Sequence, residues 1–185
     1  MDIVDILKNG GIGVMPTDTI YGIVGSALNP QTVEKIYTLR RRSKNKPFII
    51  LISSIKDLKK FDIKLTKKQE VFLKKCWPNP LSVILPCRSE RFFYLHRGTN
   101  SLAFRMPKNE KLLELLQEVG PLVAPSANIE GAKPAQTLDE AKKYFGGKVD
   151  FYIDGGEIIS KPSALIVLSD AGVKVLRPGL MFSKA

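Results

Sequence analysis

Short apolar runs alternate with amphipathic stretches along nearly the whole 185-residue chain. Residues 2–9 place Ile3, Ile6 and Leu7 on one helical face, and a pair of glycines at 10–11 ends this pattern. Similar changes between strand-like and helix-like periodicity recur towards the C-terminus. The alternation predicts a layered α/β domain.

Capping signals mark the predicted helix starts. Asn29 followed by a proline combines a cap with a first-turn residue and predicts a helix to about Leu39. The S/T-x-x-E/Q spacing of a capping box occurs at Thr66 and at Thr137, which predicts a helix start at each place. Apolar spacing predicts the remaining helices, over 54–60 and 109–119.

Seven or eight strands are predicted from the apolar runs. These runs cover residues 12–15, 48–52, 81–85, 101–105, 122–124, 151–153, 164–168 and 173–176. The run over 48–52 is continuously apolar, as expected of a strand that is covered on both faces. The last strands lie too close together for helical crossovers, so we expect part of the sheet to be antiparallel.

The positive charge of the chain is concentrated in one segment. Residues 35–75 contain fourteen Lys and Arg against three acidic residues, and their net charge of +11 equals that of the whole chain. A basic surface attracts phosphate-rich partners, either a nucleotide or RNA. A lysine-rich solvated face on two amphipathic helices explains most of these lysines equally well.

Several protein classes are excluded or disfavoured. No apolar stretch approaches the roughly 20 residues that span a bilayer, and the N-terminus lacks the basic and apolar regions of a signal peptide. Cys76 and Cys87 do not form a CxxC pair, which predicts free thiols in a reducing cytoplasm. The HExxH, GxSxG and GxxxxGK[ST] motifs are absent, which disfavours serine-hydrolase and P-loop chemistry.

Five polar places interrupt or end the apolar runs, where functional groups often lie. They are MPTDTIYGIVG at 15–25, LRRRSKNKP at 39–47, SLAFRMP at 101–107, APSANIEG at 124–131, and 161–179, which runs from KPSALIVLS to VLRPG. In an extended backbone, Thr17 and Thr19 would face one way and Asp18 the other. A hairpin or a plain turn is the alternative for the first, fourth and fifth places.

Two of these places carry charge that suggests a ligand. Residues 40–46 hold five cations at a predicted helix C-terminus, which exceeds what the helix-end carbonyls need. An anion such as a triphosphate would relieve the repulsion between them. Arg105 ends an apolar strand, and its planar guanidinium suits a carboxylate, although an ion pair with a nearby glutamate is the alternative. The lone His96 is predicted to be structural.

Taken in order, PTDTIYG, the K-x-R-type basic segment, RMP, PSAN and RPG resemble the YrdC-type threonylcarbamoyl-AMP synthase family over residues 10–179. The resemblance implies one domain over residues 1–185, with a twisted mixed parallel and antiparallel sheet, flanking helices and an open basic cavity. It implies synthesis of L-threonylcarbamoyladenylate from L-threonine, bicarbonate and ATP, with release of pyrophosphate. The product would serve the threonylcarbamoyladenosine modification of tRNA.

The resemblance also assigns site residues. Those for threonine are Thr17, Arg105, Ser126 and Ser163. Those for ATP are Arg40, Arg42, Lys44, Ser101, Asn128 and Arg177. Arg40, Arg42 and Lys44 are expected to act in catalysis by neutralising phosphate charge. The family usually has lysine where Arg40 stands, and a small residue or proline where Ser43 stands.

The resemblance further implies Mg²⁺ carried with ATP, no tightly bound cofactor, no metal-ligating residue, a downstream threonylcarbamoyl transferase and a cytoplasmic location. Two alternatives remain. The first is a protein of the same fold that binds double-stranded RNA through the 35–75 surface and has no synthase activity. Aromatic residues that could stack on bases are sparse there, which disfavours single-strand reading. The second is a paralogue that acts on another carbamoyl or nucleotide substrate.

Overall fold

The computed structural model describes residues 2–180, and six α-helices lie within that range. They are α1 (Ile3–Lys8), α2 (Pro30–Leu39), α3 (Lys67–Cys76), α4 (Phe93–His96), α5 (Glu110–Val119) and α6 (Leu138–Phe145). The start of α2 is fixed as predicted, because the Asn29 side chain accepts hydrogen bonds from the amides of Gln31 and Thr32. Thr66 and Gln69 form both bonds of the predicted capping box at α3.

Two predicted helix starts differ in detail. Thr137 accepts a bond from the Glu140 amide at 3.3 Å, but the Glu140 carboxylate accepts from the Gln136 amide at 2.7 Å, not from that of Thr137. The capping box at α6 is therefore only half present, and the return bond is made one residue earlier. The segment predicted as a helix over 54–60 is a 3₁₀ helix, Ile55–Phe61.

Nine strands form one mixed sheet in the described part of the chain. They are β1 (Ile12–Pro16), β2 (Tyr21–Ser26), β3 (Ile49–Leu51), β4 (Leu81–Pro86), β5 (Ser101–Arg105), β6 (Leu122–Val123), β7 (Phe151–Tyr152), β8 (Ala164–Ser169) and β9 (Gly172–Arg177). Their order is β7-β1-β2-β6-β3-β5-β4-β8-β9. β8 and β9 are antiparallel, as the short connection predicts, whereas β3 runs parallel to β5 and β4 parallel to β8.

The sequence-based count of seven or eight strands was wrong, because β2 was not recognised. Its sequence, YGIVGS, has two glycines and follows a polar run, and both features weaken a strand pattern. Pairing with β1 outweighs this weak local preference, from Ile12 opposite Gly25 to Pro16 opposite Tyr21. Residues 17–20, of which the first three are polar, consequently form the loop of a hairpin.

Helices cover both faces of the sheet. Alternate strand residues separate into two apolar clusters, since neighbouring side chains point to opposite faces. Met15, Val24 and Leu51 pack on one face with residues of α1 and α5. The larger cluster, on the other face, includes residues of α2, α3, α4 and α6. The continuously apolar run around β3 is thus buried from both sides, as predicted.

Cys76 and Cys87 are free thiols, as the sequence predicts. Between residues 2 and 180, no helix has the length and apolar character needed to cross a membrane.

Candidate functional site

One cavity of about 480 Å³ lies where the five polar places identified in the sequence meet. Eight of the ten predicted site residues line it. They are Thr17, Arg40, Arg42, Ser101, Arg105, Ser126, Ser163 and Arg177. The cavity has the size of a small-molecule site. Lys44 and Asn128 do not line it, and the predicted binding roles of all ten residues stay predictions.

The basic loop, residues 41–47, leaves α2 through a fixed turn. Arg41 has a left-handed φ of 48°. Its amide donates to the carbonyl of Thr38, and the Arg42 amide donates to that of Tyr37. These two bonds form a Schellman motif, which usually has glycine at the left-handed position. The motif ends the helix and turns the chain so that Arg42 and Lys46 reach the cavity.

Arg40 is buried beside the loop that follows β6. Its Nε donates to the Asn128 carbonyl at 3.0 Å, and its Nη2 donates to Asn128 Oδ1 at 2.7 Å and to Ser126 Oγ at 3.2 Å. Nη1 is also buried and has no hydrogen-bond partner among residues 2–180. Burial, and then the charge of Arg42, lowers the pKa of Arg40 to about 10. Arg40 therefore keeps one buried nitrogen without a partner, and an anion bound to it would offset the desolvation of the guanidinium.

Asn128 holds this loop together with all of its amide groups. Its Oδ1 accepts from Arg40 and Ser126, and its Nδ2 donates to the carbonyls of Ile129 and Ala132. In this arrangement Asn128 orients Arg40 from behind the cavity wall.

The structure also distinguishes two lysines of the basic loop. Lys44 is exposed and lies outside the cavity lining, whereas Lys46, two residues later, lines it. Sequence reasoning did not name Lys46. The run of cations from 40 to 46 indicated the loop but not which of its side chains turn inward.

The β1–β2 loop supplies hydroxyl groups to the cavity. Thr17 Oγ1 donates to the Ile20 carbonyl at 2.7 Å and lies 3.2 Å from Thr19 Oγ1. Both threonines line the cavity. Asp18 does not line the cavity, and its carboxylate meets Arg105. The loop is bent at residues 18–20 and not extended, so the alternation expected for an extended backbone does not apply here.

Arg105 and Asp18 form a buried ion pair. Arg105 Nη2 lies 2.9 Å from Asp18 Oδ1, and the two side chains are 4% and 1% exposed. Asp18 Oδ2 also accepts from the Lys108 amide at 3.3 Å. Burial lowers the pKa of Arg105, and the charge of Asp18 opposes this effect. The alternative partner considered for Arg105 was a glutamate. No sequence pattern distinguishes Asp18 as this partner, apart from its position inside PTDT.

The last two predicted site residues, Ser163 and Arg177, are hydrogen-bonded to each other and line the cavity. Ser163 is 1% exposed, and its Oγ lies 2.8 Å from Ser82 Oγ. Arg177 Nε donates to the Ser163 carbonyl at 3.0 Å. Gly179 has a φ of 56°, and a Cβ there would lie 2.3 Å from the Ala164 nitrogen. Only glycine permits this approach, so the RPG sequence holds Arg177 against the cavity wall.

The charges in the cavity are unevenly compensated. Arg105 pairs with Asp18 and Lys46 with Glu130. Arg40, Arg42 and Arg177 form no ion pair within residues 2–180. Three uncompensated guanidinium groups suit a polyanion such as a nucleotide triphosphate. In the same part of the chain, no cluster of three His, Cys, Asp or Glu side chains could hold a metal ion.

The fold and the cavity define a class: an α/β protein with a mixed sheet and a basic, hydroxyl-lined ligand cavity. Residues 5–179 match the Sua5/YciO/YrdC family model, which is described as "Telomere recombination". The chain belongs to the Sua5/YciO/YrdC family.

Similar proteins of two organisms are named threonylcarbamoyl-AMP synthase. The chain is 33% identical over 177 residues to a threonylcarbamoyl-AMP synthase of Pyrococcus abyssi, covering 94% of this chain and 52% of the relative. It is also 33% identical over 178 residues to that of Bacillus subtilis, covering 94% and 51%. The crystal structure of P. abyssi Sua5 complexed with L-threonine superposes with a TM-score of 0.86 at 33% identity, covering 95% of this chain and 52% of that chain. The chain therefore spans about half the length of these relatives.

Proposed function

We propose that this chain synthesises L-threonylcarbamoyladenylate from L-threonine, bicarbonate and ATP and releases pyrophosphate. One observation carries the proposal: a single cavity brings together the three guanidinium groups that form no ion pair and the contact between Arg105 and the Thr17 hydroxyl. The three groups belong to Arg40, Arg42 and Arg177. The names of the relatives from P. abyssi and B. subtilis support the same activity. The product would be used by a threonylcarbamoyl transferase that modifies tRNA.

The chemistry needs two steps. The threonine amine first adds to bicarbonate and loses water, which gives N-carboxythreonine. An oxygen of the new carboxylate then attacks the α-phosphorus of ATP, and the bond to the β,γ-pyrophosphate breaks. Neither step requires a covalent bond to the protein. Catalysis would arise from holding the two anions together and from stabilising charge on the departing phosphates.

The residues divide between these tasks. Arg42, Arg177 and the free Nη1 of Arg40 would hold the phosphates, because they carry the uncompensated charge. Arg105 would bind the threonine carboxylate through its buried Nε, which has no hydrogen-bond partner among residues 2–180. The hydroxyl of Thr17 would form hydrogen bonds with polar groups of the threonine substrate.

Two further elements complete the proposal. Mg²⁺ would arrive as part of the substrate, coordinated by the phosphate oxygens of ATP. The reaction would take place in the cytoplasm, where ATP is available and where free thiols such as Cys76 and Cys87 stay reduced.

Pyrophosphate release tests the proposal. The unmodified protein should release pyrophosphate from ATP only when threonine and bicarbonate are both present. Arg42→Ala should reduce this rate at least ~10-fold, because it removes a charge-assisted contact to the phosphates. Arg88→Ala is the matched control, since Arg88 is exposed and lies outside the cavity lining. Release without threonine would instead support a paralogue with another substrate, and full activity of the folded Arg42→Ala protein would remove the basic loop from the mechanism.

A further inference from the structure

Glu130 is not among the residues assigned above to substrate binding. Its hydrogen bonds join the loop after β6 to the end of α2 and to the basic loop. Its Oε2 accepts from the Ser43 amide at 2.6 Å and from Ser43 Oγ at 3.0 Å. Its Oε1 lies 2.7 Å from Lys46 Nζ. The amide of Glu130 itself donates to the Arg40 carbonyl at 2.8 Å. One residue of the loop after β6 thus binds the basic loop at Ser43 and Lys46 and the end of α2 at Arg40.

These bonds hold the part of the basic loop that contains Arg42 and Lys46, whose charged side chains line the cavity. The Lys46 carbonyl accepts from Arg42 Nε at 3.0 Å and from the Tyr37 hydroxyl at 3.1 Å. The Arg42 guanidinium also lies 5.6 Å from the centre of the Phe48 ring. Glu130 holds the Ser43 amide, which directly follows Arg42, and the Lys46 side chain, so its bonds restrain both Arg42 and Lys46. Both of these side chains line the cavity.

The ion pair between Lys46 and Glu130 lies where a ligand can reach it. The Lys46 side chain is 56% exposed and that of Glu130 is 23% exposed. The bonds from Lys46, then from the Ser43 amide and hydroxyl, lower the pKa of Glu130 to about 2. The carboxylate is therefore ionised at neutral pH, and all three bonds are charge-assisted.

We propose that Glu130 is a positioning residue for the nucleotide polyphosphate, because it presets Arg42 and Lys46 at the cavity rim before the ligand binds. The inference rests on the proposed function only in naming that ligand. Binding to a prearranged loop avoids the entropy cost of ordering two long cationic side chains. The contacts of threonine lie at Arg105 and Thr17, so they should depend little on Glu130.

A simple charge argument predicts the opposite sign. Glu130 is an anion beside cations, so its removal alone would make the cavity more positive and would tighten polyphosphate binding. Positioning predicts weaker binding despite the gain in net positive charge. The direction of the change therefore separates the two explanations.

Titration calorimetry of the full chain with ATP, inorganic triphosphate and L-threonine tests the inference. For Glu130→Ala we expect the Kd of ATP and of triphosphate to rise about tenfold, as for the loss of one or two charge-assisted bonds. The Kd of threonine should stay within about twofold, because its proposed contacts are unchanged. Ser43→Ala keeps all charges and removes one of the three bonds, so it should shift the polyphosphate Kd in the same direction by a smaller factor.

Glu70→Gln is the matched control, because it removes an ion pair of similar length, 2.6 Å to Lys74, on α3 outside the cavity. It should leave all three affinities unchanged. Unchanged or tighter triphosphate binding by folded Glu130→Ala would overturn the inference. So would an equal loss of threonine and triphosphate affinity, which would indicate a general structural role.

The test of Glu130 can be distinguished from the test of the proposed function, because triphosphate binding can be measured without catalytic turnover. Binding of triphosphate by the unmodified protein, without threonine-dependent pyrophosphate release, would refute the synthase activity and still test Glu130. An unmodified protein that binds neither ATP nor triphosphate would refute both proposals.

Discussion

At the residue scale, the cavity is built from guanidinium groups that are held in different ways. Arg40 is fixed by Asn128 and Ser126 and keeps one free donor. Arg105 is fixed by Asp18 and is almost completely buried. Arg40 donates to three acceptor atoms from one planar group, which the ammonium group of a flexible lysine could not do in this geometry. In the proposed site, Arg40 thus supports the loop after β6 as well as the ligand.

The Asp18–Arg105 pair gives a prediction about stability. Asp18→Ala should lower the free energy of unfolding by about 3–5 kcal/mol, because it leaves an uncompensated guanidinium in the protein interior. Urea unfolding measured by circular dichroism gives this quantity. Glu70→Gln, which breaks an exposed pair, should leave it nearly unchanged. A loss below about 1 kcal/mol in the Asp18 variant would show that solvent reaches Arg105 more freely than its 4% exposure indicates.

At the element scale, the end of α2 decides how the basic loop enters the site. The Schellman bonds of Arg41 and Arg42 turn the chain at a non-glycine residue with positive φ. A left-handed conformation costs an ordinary L-residue about 1–2 kcal/mol, which the surrounding bonds must offset. The position of Arg42 therefore depends on a locally unfavourable backbone conformation.

Arg41→Gly should raise the free energy of unfolding by about 1 kcal/mol, since glycine adopts this conformation without a steric penalty. Thermal or urea unfolding would detect the gain. Pyrophosphate release should be retained, because Arg41 does not line the cavity. An unchanged or lower stability would mean that the Arg41 side chain makes contacts that outweigh the backbone strain.

Elements whose signals are local could be predicted from the sequence. The Asn29 cap and the Thr66 capping box each depend on residues two or three positions apart, and both are present in the structure. β2 depends instead on pairing with β1, and its glycines conceal it. The half-formed box at Thr137 shows that the same spacing permits a different partner for the glutamate.

At the scale of the whole molecule, the positive charge of residues 35–75 has two locations. Arg40, Arg42 and Lys46 line the cavity, whereas Arg41 and Lys44 do not. The lysines from 56 to 75 lie on the 3₁₀ helix Ile55–Phe61, on α3 and on the segment between them, outside the cavity lining. Charge composition alone could not separate these surfaces. The alternative stated from the sequence, double-stranded RNA binding through the 35–75 surface without synthase activity, is not favoured by the names of the relatives.

The convergence of the five polar places could be expected from the family resemblance, but not the contacts that hold them. Asp18 with Arg105 and Glu130 with Lys46 join residues more than eighty positions apart. No spacing rule indicates such pairs, because they arise only when the sheet order brings the loops together. For this reason the sequence alone did not identify Lys46, Asp18 or Glu130 as residues that build the site.

A crystal structure of the chain soaked with ATP and L-threonine tests the central claim most directly. We expect the triphosphate between Arg40, Arg42 and Arg177, and the threonine carboxylate at Arg105, in the same cavity. Such density would show that separate motifs form one binding site. Nucleotide density on the lysines of α3, or threonine density remote from Arg105, would contradict the account.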